Sequence, residues 1–437
     1  MSRIKHQKSV CCYFQIHQPY RLAECSFFDE SGDHFTGPRN CRNEDIFEKV
    51  ALKCYLPTTK LLLELLKKHP ELRLSFSLSG TFLDQCSQYP KYGREIIELF
   101  QEMAASGQVE FLAETYFHSL SFLYSKAEYA EQINLHREKI ASFFGQKPRI
   151  FRNTELIYSN ELGEFIRRMG FQGMLCEGWD HFLQGESSNF VYNAKTVPMN
   201  VAAAKIAQEN KISGRGKAKL PLLLKNYKLS DDIAFRFGNK EWIEHPLTSE
   251  KFATWAAETP GETINLFMDY ETFGEHQWSD TGIFEFLRHL PAALLAKNIG
   301  FHTPSEALKK LKAEKEYDVP TYLSWADTER DLSAWLENDL QRSALTELAL
   351  FEQALYPWKN VRTPELEEIR LTFGRLQTSD HLYYMSTKYW SDGDVHKYFS
   401  AYVSPYEAYI NFMNTLRLLK RRFEEKNSYS IKNEHKS

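Results

Sequence analysis

The chain has 437 residues, 43% of them hydrophobic, and a formal charge of -4, which allows two or three domains or one large barrel with an appendage. So small a charge gives no electrostatic case for nucleic acid or an anionic membrane, and no apolar run approaches the ~18 residues a membrane span needs. Seven cysteines, an odd number with no C-x-x-C pair, read as reduced thiols of a cytoplasmic protein.

The N-terminus, "MSRIKHQKSVCCYFQIHQ", has only a short, interrupted apolar segment and reads as a first strand rather than a signal peptide. Further apolar runs follow in "LRLSFSL", "VEFLA", "PRIFRN", "GFQGMLC", "DIAFRF" and "TINLFMD". Helical patterns lie between them. "TTKLLLELLKKH" stops at His69-Pro70, "YGREIIELFQEMAASGQ" ends on Gly107, and "NELGEFIRRMG" ends on Gly170. Strands that are nearly continuous apolar runs are covered on both faces, and their alternation with helices predicts a parallel sheet, open or closed into a barrel. The segment "AKIAQENKISGRGKAKLPLLLKNYKLSDD", lysine-rich over 205–220, breaks the alternation and reads as an insertion or long loop.

After "FHTPSEAL" the chain becomes helical, with patterns in "RDLSAWLENDLQRSALTELALFEQALY", "TPELEEIRLTFGRLQTSDHLYYM" and "SPYEAYINFMNTLRLLKRRFEEK". The expected organisation is a strand–helix domain over 1–305, a helical domain over 306–425 and a disordered tail over 426–437.

Ligands of parallel sheets sit at the carboxyl ends of the strands, so the residues after each run matter most. The first run delivers His17, the third Glu114 and His118, the fourth Glu155, and the last Asp269 and Glu271. Each has a bland alternative. His17 suits a loop-anchoring hydrogen bond, and Glu114 or Glu155 suits a helix N-terminus. Their gathering on one rim is what a solvated surface does not require.

The fourteen histidines show no i, i+3 or i, i+4 pair and no H-E-x-x-H, so no metal site is read and no cofactor is expected. A G-x-S-x-G elbow is absent, and "SGRGKAK" lacks phosphate-loop spacing. Two carboxylates on different strands suit glycoside hydrolysis, where they lie ~5–5.5 Å apart in retaining enzymes. If the strand persists to 271, Asp269 and Glu271 face one cavity, Tyr270 turns away, and each acid makes ionisation of the other harder. If the chain turns at Asp269, that argument lapses.

"HQP", "SLSGTFLDQ", "ETYFHSL", "FRNTELIYSNE", "FMDYETFGEHQW" and "QTSDHLYYM", in this order, resemble the sequence regions of glycoside hydrolase family 57 in its α-amylase-like branch. The resemblance implies an α/β fold: an incomplete seven-stranded (β/α) barrel, followed by a C-terminal helical bundle that contributes to the cleft. It implies retaining cleavage of α-1,4-glucosidic bonds in starch- or glycogen-type glucans. Glu155 matches the family nucleophile and Asp269 the general acid/base. His17, Glu114 and Glu271 match residues lining the sugar pocket. Asp380 and His381 match the last of the family's regions. Trp325 is expected to stack on a glucose ring, with core packing as the alternative. The branch includes proteins that have lost a catalytic carboxylate, whereas this chain keeps both. A 4-α-glucanotransferase would use the same motifs, and a non-catalytic glucan-binding protein or a metal-dependent deacetylase would use a similar scaffold. The expected partner is an α-glucan or maltooligosaccharide.

Overall fold

The computed structural model describes residues 8–30, 32–213, 218–313, 315–388 and 400–434, with the backbone course alone for 427–434. Its strands, in chain order, are β1 (Lys8–Ile16), β2 (Leu74–Leu78), β3 (Val109–Phe111), β4 (Ile150–Arg152), β5 (Gly173–Glu177), β6 (Val191–Ala194), β7 (Pro221–Lys225), β8 (Thr263–Asp269), β9 (Ile299–Phe301) and β10 (Lys315–Tyr317). The fold is mixed α/β and built largely on parallel strands.

The ladders form two five-stranded sheets. One runs β3-β2-β1-β8 with β9 beside β1, all parallel, and the other runs β10-β6-β7-β5-β4 with only β6 and β7 antiparallel. They meet at two seams. Ala113, just past β3, bridges Phe151 of β4, donating its N–H to Ile150 at 3.0 Å and accepting from Arg152 at 2.9 Å. At the other seam, Asn226 after β7 donates its N–H to the Asn265 carbonyl of β8 at 2.9 Å, and the Asn265 amide donates to the Leu224 carbonyl at 2.8 Å. Among the described residues no regular ladder crosses either seam, so the two sheets are joined there by isolated bridges and hydrogen bonds rather than by a continuous barrel ladder.

The chain divides into two compact units. The first comprises Met1–His17, Phe47–Tyr116 and Ala130–Trp325, and the second Gln18–Ile46, Phe117–Tyr129 and Ala326–Ser437. In the first unit Tyr13, Leu112, Ile150, Leu175, Leu223 and Phe267, one from each of several strands or strand ends, pack into one buried apolar cluster. On the other face of β1 and β2, Phe14 and Phe76 pack with Tyr270, at centroid distances of 5.7 Å in each case.

In the second unit the helices Asp339–Leu355, Pro364–Leu376 and Pro405–Glu434 meet through Phe351, whose ring lies 5.2 Å from Phe373 and 5.6 Å from Phe423. The early segments join them by hydrogen bonds. Leu22 N–H donates to the Tyr402 hydroxyl at 2.8 Å, and Cys25 N–H donates to Asn411 at 2.9 Å. The grouping of 18–46 and 117–129 with 326–437 has no counterpart in local sequence pattern.

Several elements differ from their sequence reading. "DIAFRF" is not a strand: Asp232–Arg236 is a wide, π-type helical turn that continues the helix Tyr227–Asp231, and Phe235 is 63% exposed. Asn226 caps that helix by accepting the Leu229 N–H, and the Asp232–Arg236 ion pair at 2.5 Å has helical i, i+4 spacing. The strand is instead "PLLLK", β7, buried along its whole length. The stretch over 205–220 begins inside the helix Val201–Glu209 and leads into β7, and 214–217 lie outside the described residues. "RDLSAWLENDLQ…" is two helices, Ser333–Leu336 and Asp339–Leu355, because Asn338 forms a capping box with Gln341. The last helix runs past 426 to Glu434, helped by the Lys426–Glu365 pair.

Candidate active site at the carboxyl ends of the strands

Side chains two apart on a strand share a face. Two residues beyond the apolar layer of Tyr13, Leu112, Ile150, Leu175, Leu223 and Phe267 stand Gln15, Glu114, Arg152, Glu177, Lys225 and Asp269. One step toward the carboxyl ends, an apolar layer therefore becomes a polar one. From β3 through β4, β5 and β7 to β8 its charges alternate in sign: Glu114, Arg152, Glu177, Lys225, Asp269.

Glu114 is completely buried. Gln15 donates to its two carboxylate oxygens at 3.3 and 3.4 Å, and is aimed there because its own oxygen accepts from Tyr13 at 2.7 Å and Ser77 at 2.8 Å. Arg152 lies 3.9 Å from Glu114, both fully buried. His136 donates from Nε2 to the Leu78 carbonyl at 2.9 Å and accepts the Glu114 backbone N–H at Nδ1, 3.3 Å. Those partners define a neutral imidazole, and burial keeps it so by lowering its pKa.

Glu155 sits in the turn Thr154–Leu156 that follows β4, with φ 55° and ψ 27°. A non-glycine residue in this left-handed region costs about 1–3 kcal/mol and persists only when its surroundings fix it. Here they do. Asn153 Nδ2 spans the turn to the Ile157 carbonyl at 3.0 Å, Leu156 is locked in the core, and the Glu155 carbonyl accepts from Trp325 N–H at 3.2 Å. The Trp325 indole N–H also donates to the Glu155 carboxylate at 2.7 Å. Arg152 and Lys225 lie over the Trp325 ring, 5.0 and 5.2 Å from its centroid.

Asp269 ends β8, and residues 270–272 form a tight helical turn. The alternation argument for a shared face of Asp269 and Glu271 therefore lapses at Asp269. Tyr270 nonetheless turns away, into the aromatic layer, with its hydroxyl 2.8 Å from Thr59. Glu271 is still close enough to feel Asp269. Burial, and then the Asp269 charge, raise its pKa from 4.5 to about 8, against an opposing hydrogen bond from Tyr55 at 2.6 Å. His17 Nδ1 lies 2.8 Å from Ser79 and 3.3 Å from Thr81. His17, Glu155, Asp269 and Trp325 are half-buried, whereas Glu114 and Glu271 are buried.

Asp380 and His381 belong to the second unit, in the helix Ser379–Tyr383. His381 is buried, with Nε2 3.1 Å from the Arg375 carbonyl and its ring 5.7 Å from Phe412. Asp380 is one of the charges acting on Arg21. Among the described residues no group of three or more His, Cys, Asp or Glu is placed to hold a metal ion, and no helix is long and apolar enough to cross a membrane.

The glycosyl hydrolase family 57 profile matches residues 11–320. The chain belongs to this family. Among relatives, a protein of Methanocaldococcus jannaschii named "Putative alpha-amylase" is 38% identical over 413 residues, 92% of this chain and 82% of its own length. Among solved structures, a family 57 branching enzyme from Pyrococcus horikoshii superposes with TM-score 0.64 at 14% identity, over 90% of this chain and 87% of its own. A 4-alpha-glucanotransferase from Thermococcus litoralis gives 0.57 at 16% identity, and there this chain's match covers 86% of itself and only 56% of that protein. At such identities the structural likeness speaks for the fold. The family assignment makes the chain a member of a glycosidase family.

The sequence reading missed Arg152, Glu177 and Lys225. Arg152 was within reach, because it lies in the quoted "FRNTELIYSNE" two residues after the core Ile150. Lys225 lay inside the segment "AKIAQENKISGRGKAKLPLLLKNYKLSDD" that reads as an insertion, so its strand went unseen.

Glu271 gives a test of the site's electrostatics. Its folded pKa exceeds the ordinary one, so between 4.5 and about 8 the folded chain holds a proton that the unfolded chain releases. Stability therefore falls as pH rises through that window, by up to roughly 1.4 kcal/mol per pH unit, and levels off above it. Glu271→Gln removes this slope. Urea midpoints at about pH 5 and about pH 9 are expected to differ less for the variant than for the parent; parallel declines would refute the assignment.

Proposed function

We propose that the chain is a retaining glycoside hydrolase acting on α-1,4-glucosidic bonds of starch- or glycogen-type glucans. The observation that carries this reading is the construction around Glu155. A half-buried carboxylate is held in a strained turn and oriented by an indole N–H, as a nucleophile requires. Asp269, half-buried at the end of β8, is the general acid/base. His17, Glu114, Glu271 and Trp325 serve binding. The strand order β1, β2, β3, β4, β5, β7, β8 across the two seams supports reading the scaffold as the incomplete seven-stranded barrel of the family, followed by a helical bundle.

In the first step a Glu155 oxygen bonds to the anomeric carbon as the glycosidic C–O bond breaks. Asp269 gives its proton to the departing oxygen. In the second step Asp269 takes a proton from water, whose oxygen displaces Glu155 from the anomeric carbon. Two inversions leave the product in the α configuration. The indole N–H on Glu155 holds the carboxylate in line, and half-burial of the pair limits competition from bulk water.

The discriminating experiment is a product profile, by length and anomer, from a panel of maltooligosaccharides. Hydrolysis predicts products no longer than the substrate, with the α-anomer appearing first by proton NMR. Products longer than the substrate would make the chain a glucanotransferase. Immediate β-anomer would overturn the retaining scheme. Glucan binding without any bond cleavage would make it a binding protein.

A further inference from the structure

Arg152 is fully buried, yet none of its three guanidinium nitrogens has a hydrogen-bond partner among the described residues. Its ion pair with Glu114, at 3.9 Å, is longer than a hydrogen bond. A buried ion pair as a whole contributes little net stability compared with apolar side chains of similar volume, so the fold alone gives weak reason for a charged pair here. Its other neighbour is the Trp325 ring, shared with Lys225. Lys225 comes from a different strand and is anchored by Asp231 at 3.0 Å and Glu177 at 3.8 Å. Two cations from two strands thus converge on one indole, and that indole's N–H points at the Glu155 carboxylate. A cation over an indole face draws π density and makes the N–H a stronger donor.

We propose that Arg152 and Lys225 are positioning residues for Glu155 that act through Trp325: the two cations polarise the indole, which grips the carboxylate and favours its anionic, attacking form. This rests on Glu155 being the nucleophile. The other charged or titratable groups facing this layer are Glu114 after β3, with His136 beside it, Glu177 on β5, Asp231 after β7, Asp269 on β8, and Tyr13 on β1. Glu114 pairs with Arg152, and Glu177 and Asp231 pair with Lys225. The anions hold the cations in place, and the net effect of the cations on Glu155 passes through the ring.

The test uses α-glucosyl fluoride, whose fluoride leaves without a proton, so the acidic limb of its kcat/KM against pH reports Glu155 and not the general acid. Arg152→Met and Lys225→Met are each expected to lower kcat and to move that limb to higher pH by about one unit. Arg152→Lys is expected to restore it. Trp325→Phe, which keeps a ring but loses the N–H, is expected to shift the limb by itself and to leave Arg152→Met with little further effect. If Arg152→Met does not fold, Lys225→Met decides. Folded methionine variants with the parent's limb would overturn the proposal, as would equal shifts with and without Trp325. A parent chain that does not turn over the fluoride at all would instead remove the α-glucosidase reading, and this proposal with it.

Discussion

Glu155→Gln is expected to lower kcat on maltooligosaccharides by about four orders of magnitude, or about 5 kcal/mol of barrier, while oligosaccharide binding stays within a few fold. Glutamine keeps the size of the side chain and can still accept the Trp325 N–H, which is 2.7 Å away in the parent, so the turn and its left-handed residue are retained. The amide cannot form the glucosyl ester. Steady-state kinetics paired with calorimetric binding separates the two effects. Added azide should then produce β-glucosyl azide, formed by a single inversion in the space the carboxylate had occupied. Near-parental turnover would remove Glu155 from the chemistry.

Asp269→Ala is the second large effect. Without a proton donor, cleavage of an unactivated glucan is expected to fall by about 10²–10⁴-fold. A dinitrophenyl α-glucoside, whose leaving group departs as a stable anion, should lose much less in the glycosylation step. Azide should accelerate this variant and give α-glucosyl azide, because the intermediate on Glu155 still forms and azide needs no base. Opposite azide anomers from the two variants would separate the roles of the two acids. The same loss on both kinds of substrate would argue that Asp269 binds or orients rather than transfers protons.

The strands that build the polar layer were legible where they are short, continuous and apolar: "VCCYFQI" lies within β1, and "VEFLA", "PRIFRN" and "TINLFMD" each contain the strand they suggest. Misreadings came where periodicity is ambiguous. "DIAFRF" and "PLLLK" are both short apolar runs, and only capping by Asn226 and burial on both faces of β7 distinguish helix from strand. At the site, position along a strand was readable but the path after it was not. A tight turn begins at Tyr270, so Glu271 meets Asp269 through turn geometry rather than strand alternation. Trp325 shows the limit most clearly. Its indole suggested a sugar platform, but nothing in its local sequence pointed to its N–H donating to Glu155 or to two cations over its ring, contacts made across 170 residues of sequence for Glu155. Arg152 and Lys225 were missed for the same reason: their meaning lies in which strands become neighbours.

The central claim is that Glu155 becomes covalently bonded to the sugar, and trapping that ester tests it most directly. The enzyme would be incubated with 5-fluoro-α-glucosyl fluoride, which forms the glycosyl-enzyme faster than water can remove it, and then digested and mapped by mass spectrometry. The predicted result is one added fluoroglucosyl group on the peptide containing "FRNTELIY", located at Glu155. A label on Asp269, or turnover of the reagent with no labelled peptide, would contradict it.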